Sequence, residues 1–199
     1  MTDTPEEPKS PPAPPAASSP KPPATPAKPR IDPVEEKLRR SVASPALDAL
    51  KEAFPGDLLE VGYYADEVTA VVPREKIVAI LRYLHDDPRT AFDLLADQTA
   101  ADYPKRGKRF DVVYHLYSIP KNHRLRLKVQ VGEGEAVPSA TAVYNAADWH
   151  EREIFDLFGV TFEGHPDLRR ILLPDEWQGH PLRKEYPLEG FPEQHMRLR

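Results

Sequence analysis

RFDVVYHLYSIPKNHRLRLKVQV, residues 109–131, is the stretch that decides the fold. In its first half Phe110, Val112, Tyr114 and Leu116 point one way, and Asp111, Val113, His115 and Tyr117 the other. After Pro120-Lys121-Asn122 the alternation resumes more cleanly, with Leu125, Leu127, Val129 and Val131 set against Arg124, Arg126, Lys128 and Gln130. Side chains of period two mean strands, and an apolar/charged alternation means one buried face and one that is wet or covered by a partner. Two strands joined by a Pro-Lys-Asn turn predict a sheet that needs helices on one side.

Those helices lie upstream. Ile77, Ile80, Leu81 and Leu84 form an i, i+3, i+4, i+7 stripe, with Pro73 where a first helical residue would sit and Asp87-Pro88 as the stop. Ser44-Pro45 opens a shorter amphipathic helix carrying Leu47, Leu50 and Phe54, closed by Pro55-Gly56. Between the two, residues 57–63 and 67–72 alternate loosely around Ala65-Asp66 and predict a hairpin. Residues 91–102 predict a weaker strand, because their alanines leave a helix open.

Downstream, residues 144–158 turn helical and Gly159 is the residue expected to end that helix. At roughly 100° per residue, Glu151 shares a face with Ala147, Ile154 and Phe158, Arg152 lies between Trp149 and Phe155, and Glu153 aligns with Ala146, Trp149 and Leu157. Three consecutive charges fan over a helix with apolar residues on several sides, so at least one is expected to be buried and paired. Arg169, Arg170 and Arg183 are the candidate partners, able to clasp a carboxylate while stacking on Trp149, Phe155 or Trp177. Arg169 in particular is expected to have a buried partner, which Lys105 lacks.

Past Gly159 neither period survives, and the chain repeats itself. Gly164-His165-Pro166 with Leu168-Arg169-Arg170 returns as Gly179-His180-Pro181 with Leu182-Arg183-Lys184. The pattern predicts an α+β domain over residues 34–159, with a mixed or antiparallel sheet covered by helices, followed by an extended irregular docking arm over 160–199. Residues 34–158 are expected to fold without the arm. The Gly-His-Pro turns read as corners that steer it.

Composition narrows the function classes. The first 33 residues hold 12 of the 24 prolines and almost no large apolar side chains, which predicts a disordered tail, neither secretory signal nor transit peptide. No run of 18 apolar residues occurs, so no spanning helix is expected. The absence of cysteine removes disulfides and thiolate ligation of Fe–S clusters or zinc. A net charge of −5 argues against a general nucleic-acid binder, and the basic runs 105–109 and 121–128 read as solvated surface.

No constellation of this sequence reads as an active site. Glu151 and Glu153, two apart on a helix, diverge by roughly 200° and do not converge on a substrate. His150, His165, His180 and His195 recur every 15 residues, but without a second ligand at metal spacing they point to hydrogen-bonding roles. Phosphate-binding glycine loops and nucleophile elbows are absent, and Gly132-Glu133-Gly134-Glu135 reads as an acidic turn.

Glu151-Arg152-Glu153, Asp156-Leu157-Phe158, His165, Arg169 and Ile171-Leu172, continued by Asp175 to Pro187 with Trp149 and Gly159, resemble the 30 kDa subunit family of respiratory complex I. That is the family of the C subunit in bacterial proton-pumping NADH-quinone oxidoreductases. The resemblance implies a non-catalytic subunit of the peripheral arm, on the cytoplasmic side of the membrane and attached to it only through the complex. It implies the D subunit as chief partner, with the B and I subunits near, and no cofactor held by this chain; FMN, Fe–S clusters, NADH and quinone belong to other subunits. It also implies docking or internal pairing roles for Trp149, Glu151, Arg152, Glu153, Asp156, His165, Arg169, Arg170, Trp177, His180, Arg183 and Lys184. The same resemblance extends to related membrane-bound [NiFe] hydrogenases and to complexes with other electron donors.

Overall fold

Strands β4 (Phe110–Ser118) and β5 (His123–Val131) pair antiparallel, with Tyr114 opposite Leu127 and Val112 opposite Val129. The computed structural model describes residues 44–64 and 67–190, all within one compact unit, Pro33–Arg199; the predicted tail over 1–33 and His195 lie outside the described residues. On the far side of β4 runs β3 (Leu94–Asp102), antiparallel. On the far side of β5 runs β2 (Glu67–Val72), parallel, and β1 (Glu60–Tyr64) pairs antiparallel with β2 at the edge. The sheet is thus mixed, in the order β1-β2-β5-β4-β3.

The predicted inward rows of β4 and β5 are buried, and they share a core with helices α1 (Pro45–Ala53), α2 (Ile77–Asp86) and α3 (Ala147–Phe158). Ser44 caps α1 through its hydroxyl, as the Ser-Pro start predicts. Pro73 does not begin α2. It keeps the extended backbone of β2 (φ −63°, ψ 140°), and a short 3-10 turn, Arg74–Lys76, intervenes. Tyr144 likewise precedes α3: it is buried and its hydroxyl donates to the Phe92 carbonyl at 2.7 Å, while a 3-10 turn at Ala140–Ala142 leads into the helix.

The ambiguous segment 91–102 forms a strand from Leu94 on. Its register shifts between Leu95 and Asp97, so the buried positions run Leu95, Gln98, Ala100, Asp102 and the two-residue alternation is broken by a bulge. Two of the inward positions are polar, which is why the sequence signal is weak.

After α3 the backbone is irregular to residue 190, apart from Phe162–Glu163 (β7), which pairs parallel with Val137–Pro138 (β6). This segment is nevertheless part of the domain's packing. Val160 and Phe162 are buried in the same core as α3, so the start of the arm belongs to the packing of the domain expected to fold over residues 34–158. Loss of periodicity marks where hydrogen bonding becomes irregular, and burial continues past it.

Candidate functional site

Helix α3 carries two fully buried carboxylates, and they are treated differently. Glu151 lies on the face with Ala147, Ile154 and Phe158, as the helical period predicts. Its partners are the Ser139 hydroxyl at 2.6 Å, the Ala140 amide at 2.7 Å and, more distantly, the Gln98 side-chain amide at 3.5 Å. None of the ion pairs among the described residues includes Glu151, so the expected arginine partner for this triplet is corrected: the turn that leads into α3 reaches the carboxyl, and the arm does not. Arg152 donates to the carbonyls of Arg169 at 3.2 Å and Arg170 at 3.1 Å, and its guanidinium lies over the Trp149 ring. Glu153 points outward and is exposed.

The ion pair with the arm forms one turn on, at Asp156. Its side chain is wholly buried and accepts from Arg170 Nη1 at 2.6 Å and from three successive amides, Ile171 (3.1 Å), Leu172 (2.8 Å) and Leu173 (2.9 Å). Burial alone would raise this carboxyl, but the Leu173, Leu172 and Ile171 amides and the Arg170 guanidinium outweigh it, and Asp156 stays below the usual carboxylate range. Arg169, the neighbour expected to be buried, turns outward instead: it is 67 % exposed and, among the described residues, its ion pair is with exposed Asp167 at 2.9 Å. Adjacent residues in extended chain face opposite ways, and the amide ladder on Asp156 fixes which arginine faces in.

The arm then closes the end of the helix. The last four carbonyls of α3 have no partner inside it, and each finds one. Phe155 accepts from the Gly159 amide at 2.9 Å, Asp156 from His180 Nδ1 at 2.9 Å, Leu157 from the Leu182 amide at 3.0 Å, and Phe158 from Arg183 Nε at 2.6 Å. Arg170 and Arg183 thus place two guanidinium groups at the negative end of the helix dipole. Burial lowers the His180 pKa, favouring the neutral imidazole whose Nδ1–H donates.

Gly159 makes this closure possible. It sits at φ +73°, and a Cβ there would lie 2.5 Å from His180 Nε2 and 2.7 Å from Arg183 Nη2. Gly159→Ala is expected to cost about 2–4 kcal/mol, combining left-handed strain with displacement of the cap. Urea denaturation measures the loss, and faster proteolytic nicking within residues 165–190 locates it; a variant as stable and resistant as the parent would show that the cap carries no weight.

The second echo also grips the sheet, through residues that sequence reasoning passed over. Buried Asp102, at the end of β3, takes a bidentate pair from Arg109 (2.8 and 2.9 Å) and the Lys184 amide at 2.8 Å. Arg109 continues to Glu133 at 2.9 Å and to Glu185, and Arg183 meets Glu133 at 2.7 Å. The Arg109 hydrogen bond lowers the Asp102, Glu133 and Glu185 carboxyls. Arg109 therefore does not belong to a solvated basic run. Its signal in the sequence is an Asp and an Arg seven residues apart, one on each side of the loop that joins β3 to β4. Glu133, read as part of an acidic turn, is where the two arginines meet. Lys184 contributes its backbone amide, and its side chain is exposed.

The histidines hold the arm in place. His165, with a side chain wholly buried, donates from Nε2 to the Asp148 carbonyl at 3.1 Å and accepts the Asp167 amide on Nδ1 at 3.1 Å, which turns the first Gly-His-Pro corner onto α3. Gly164 (φ +81°) and Gly179 (φ +79°) supply the left-handed backbone of the two corners. His150 faces Asp97 at 3.9 Å, and Trp177 lends its carbonyl to Arg170 at 3.0 Å. Among the described residues no three His, Asp or Glu side chains form a cluster able to hold a metal ion. Among the side chains the arm turns outward are large apolar ones: Leu172 is 61 % exposed, Leu182 49 % and Leu188 fully, with Trp149 of α3 60 % exposed.

The residues of this arrangement fall almost entirely within a match to the family described as "Respiratory-chain NADH dehydrogenase, 30 Kd subunit", over residues 70–192. The chain belongs to this family. Its similarity to the C subunit of the NADH-quinone oxidoreductase of Methylobacterium sp. (strain 4-46) is 51 % identity over 146 residues, 73 % of this chain and 68 % of that protein. With the corresponding C subunit of Citrifermentans bemidjiense it shares 49 % identity over 73 % of this chain and 89 % of the other. In solved structures it resembles a chain of the membrane-bound sulfane sulfur reductase, an archaeal respiratory membrane complex, with a TM-score of 0.61 and 25 % identity over 76 % of this chain and 87 % of that one. For a member of the 30 kDa family, the layout around α3 assigns the sequence-predicted residues to different tasks. Arg152, Asp156, His165, Arg170, His180 and Arg183 hold the arm and helix together, Glu151 ties the helix to the turn before it, and Trp149, Glu153, Arg169 and the Lys184 side chain face outward. No helix among the described residues is long and apolar enough to cross a membrane.

Proposed function

We propose that the chain is a non-catalytic structural and assembly subunit in the peripheral arm of a proton-translocating NADH-quinone oxidoreductase. In this reading it supports electron transfer from NADH to quinone while FMN, the Fe–S clusters and quinone are held by other subunits. The lack of any cysteine supports that division, since the chain has no thiolate to ligate a cluster. It sits peripherally on the cytoplasmic side of the membrane, against the quinone-module subunits, chiefly the D subunit, with the B and I subunits near.

One observation carries the docking role: Arg170, His180 and Arg183 fix the arm on its inner side, and Leu172 and Leu182 stay exposed on its outer side among charged residues. Exposed leucines on a segment already fixed by ion pairs and helix caps offer a preformed apolar surface, with little ordering entropy to lose on binding. The double variant Leu172→Asp/Leu182→Asp is expected to keep the parent's thermal transition within a few degrees, roughly the range of neutral surface changes, while losing most of its co-purification with the complex. Normal co-purification would overturn the assignment of this face.

A second reading keeps the docking role but places it in a related membrane-bound complex with another electron donor, such as a [NiFe] hydrogenase. The likeness to the sulfane sulfur reductase chain favours retaining it. Identification of the subunits that co-purify with the native chain separates the two, since NADH-oxidising flavoprotein subunits accompany only the first.

A further inference from the structure

Glu151 is the buried charge that the arm leaves unanswered. It lies where α3, β3 and the 139–142 turn meet, with no exposed surface. Asp156, five residues along the same helix, has a guanidinium and three amides; Glu151 has one good amide, one hydroxyl and a distant carboxamide. The Tyr114 hydroxyl, buried on β4 directly opposite Gln98 of β3, makes no hydrogen bond to it. Taking a carboxylate out of water without a cation costs several kcal/mol, more than two or three hydrogen bonds return. A neutral acid avoids that cost, provided its proton has an acceptor.

The acceptor is present. Ser139 Oγ lies 2.6 Å from Glu151 Oε2, and on its other side 2.7 Å from the hydroxyl of Thr141, a residue partly open to solvent. We infer that Glu151 is a buried proton-holding acid: it donates to Ser139 Oγ, the Ser139 hydroxyl turns outward to Thr141 Oγ1, and these two hydroxyls are the proton's route to solvent. When the acid ionises, the Glu151 O–H bond breaks as Ser139 gains that proton, Ser139 passes its own to Thr141, and Thr141 releases one to water. Each hydroxyl ends as it began.

Of the groups that face Glu151 from the elements around it, only His165 can carry a positive charge, and it pulls the carboxyl down. The arm contributes His165, β4 contributes Tyr114, β3 the uncharged Gln98, and the turn only hydroxyls and an amide. Burial raises the carboxyl further than the hydrogen bonds an ionised Glu151 would accept from Ser139, Ala140 and Gln98 lower it, whereas the buried carboxyls of Asp102 and Asp156, each given a guanidinium, are lowered. A folded-state acid raised above its unfolded value contributes stability below the unfolded midpoint and loses it as pH rises through the folded one. The seam between α3 and β3 thus loosens with rising pH.

A pH titration of the full chain with isotope-labelled glutamate carboxyls, followed by NMR, tests this. One resonance is expected to hold its protonated shift after the other glutamates have titrated, and to vanish in Glu151→Gln. Thr141→Val is expected to leave that midpoint in place and slow the proton's exchange with solvent. Should Glu151→Gln fail to fold, the carbonyl band of a protonated carboxyl in the infrared spectrum of the parent chain, sensitive to heavy water and persisting above the titration of the remaining acids, gives the same reading. Glutamates that all titrate together, a Glu151 signal that ionises first, or unchanged exchange in Thr141→Val would each overturn the proposal.

Discussion

Deleting residues 160–199 is expected to abolish the cooperative unfolding transition of the domain. Val160 and Phe162 leave the core, and each buried side chain of this size is worth about 1.5–3 kcal/mol. Three of the last four α3 carbonyls lose their caps, and the Asp156–Arg170 pair disappears with its three amide bonds. At about 1 kcal/mol for an ordinary hydrogen bond and more for a charged one, the combined loss is on the order of 10 kcal/mol. That is comparable with the whole stability of a domain, about 5–15 kcal/mol. Thermal circular dichroism of the truncated chain should show a broad, non-cooperative change with enhanced dye binding to exposed apolar surface. A sharp transition near that of the full chain would show that the core closes without the arm.

Arg170→Ala is expected to be the most damaging single substitution in the arm, at about 3–5 kcal/mol, because it strands a buried carboxylate. Arg169→Ala, one residue away, removes only an exposed pair with Asp167 and should stay within about 0.5 kcal/mol. Urea unfolding of the two variants side by side makes the comparison, and equal losses would mean that Asp156 is not held as described. The pH dependence adds a signature. Asp156 is lowered in the folded chain, so its contribution is present above the unfolded carboxyl midpoint and is lost as pH falls through the folded one. In Arg170→Ala the folded midpoint rises toward the unfolded one, and that acid-dependent loss should shrink.

The contrast between β5 and β3 shows what a sequence discloses. Leu125 to Val131 alternate without interruption and the strand is legible; β3 has a bulge near Ala96 and turns Gln98 and Asp102 inward, so two rules of strand reading fail within one element. The helical period placed Glu151 correctly on the face of Ala147 and Ile154. It could not name the partners, since these are a hydroxyl and a backbone amide from the preceding turn. The helical period did not single out Asp156, whose pairing role only the resemblance implied, for the same reason: three of its four donors are main-chain amides, which every non-proline residue carries and no sequence marks. The Asp102–Arg109–Glu133 contacts join a hairpin end to a later turn, and only the folded chain brings them together.

The bond from Arg183 to the Phe158 carbonyl spans 25 positions. During synthesis on the ribosome, α3 must therefore emerge with its end open and wait until residue 183 has left the exit tunnel before it is closed. A chain interrupted before that point has neither a finished helix nor the leucine-bearing surface beside it. Closing of the helix and fixing of that surface thus depend on the same short stretch of chain.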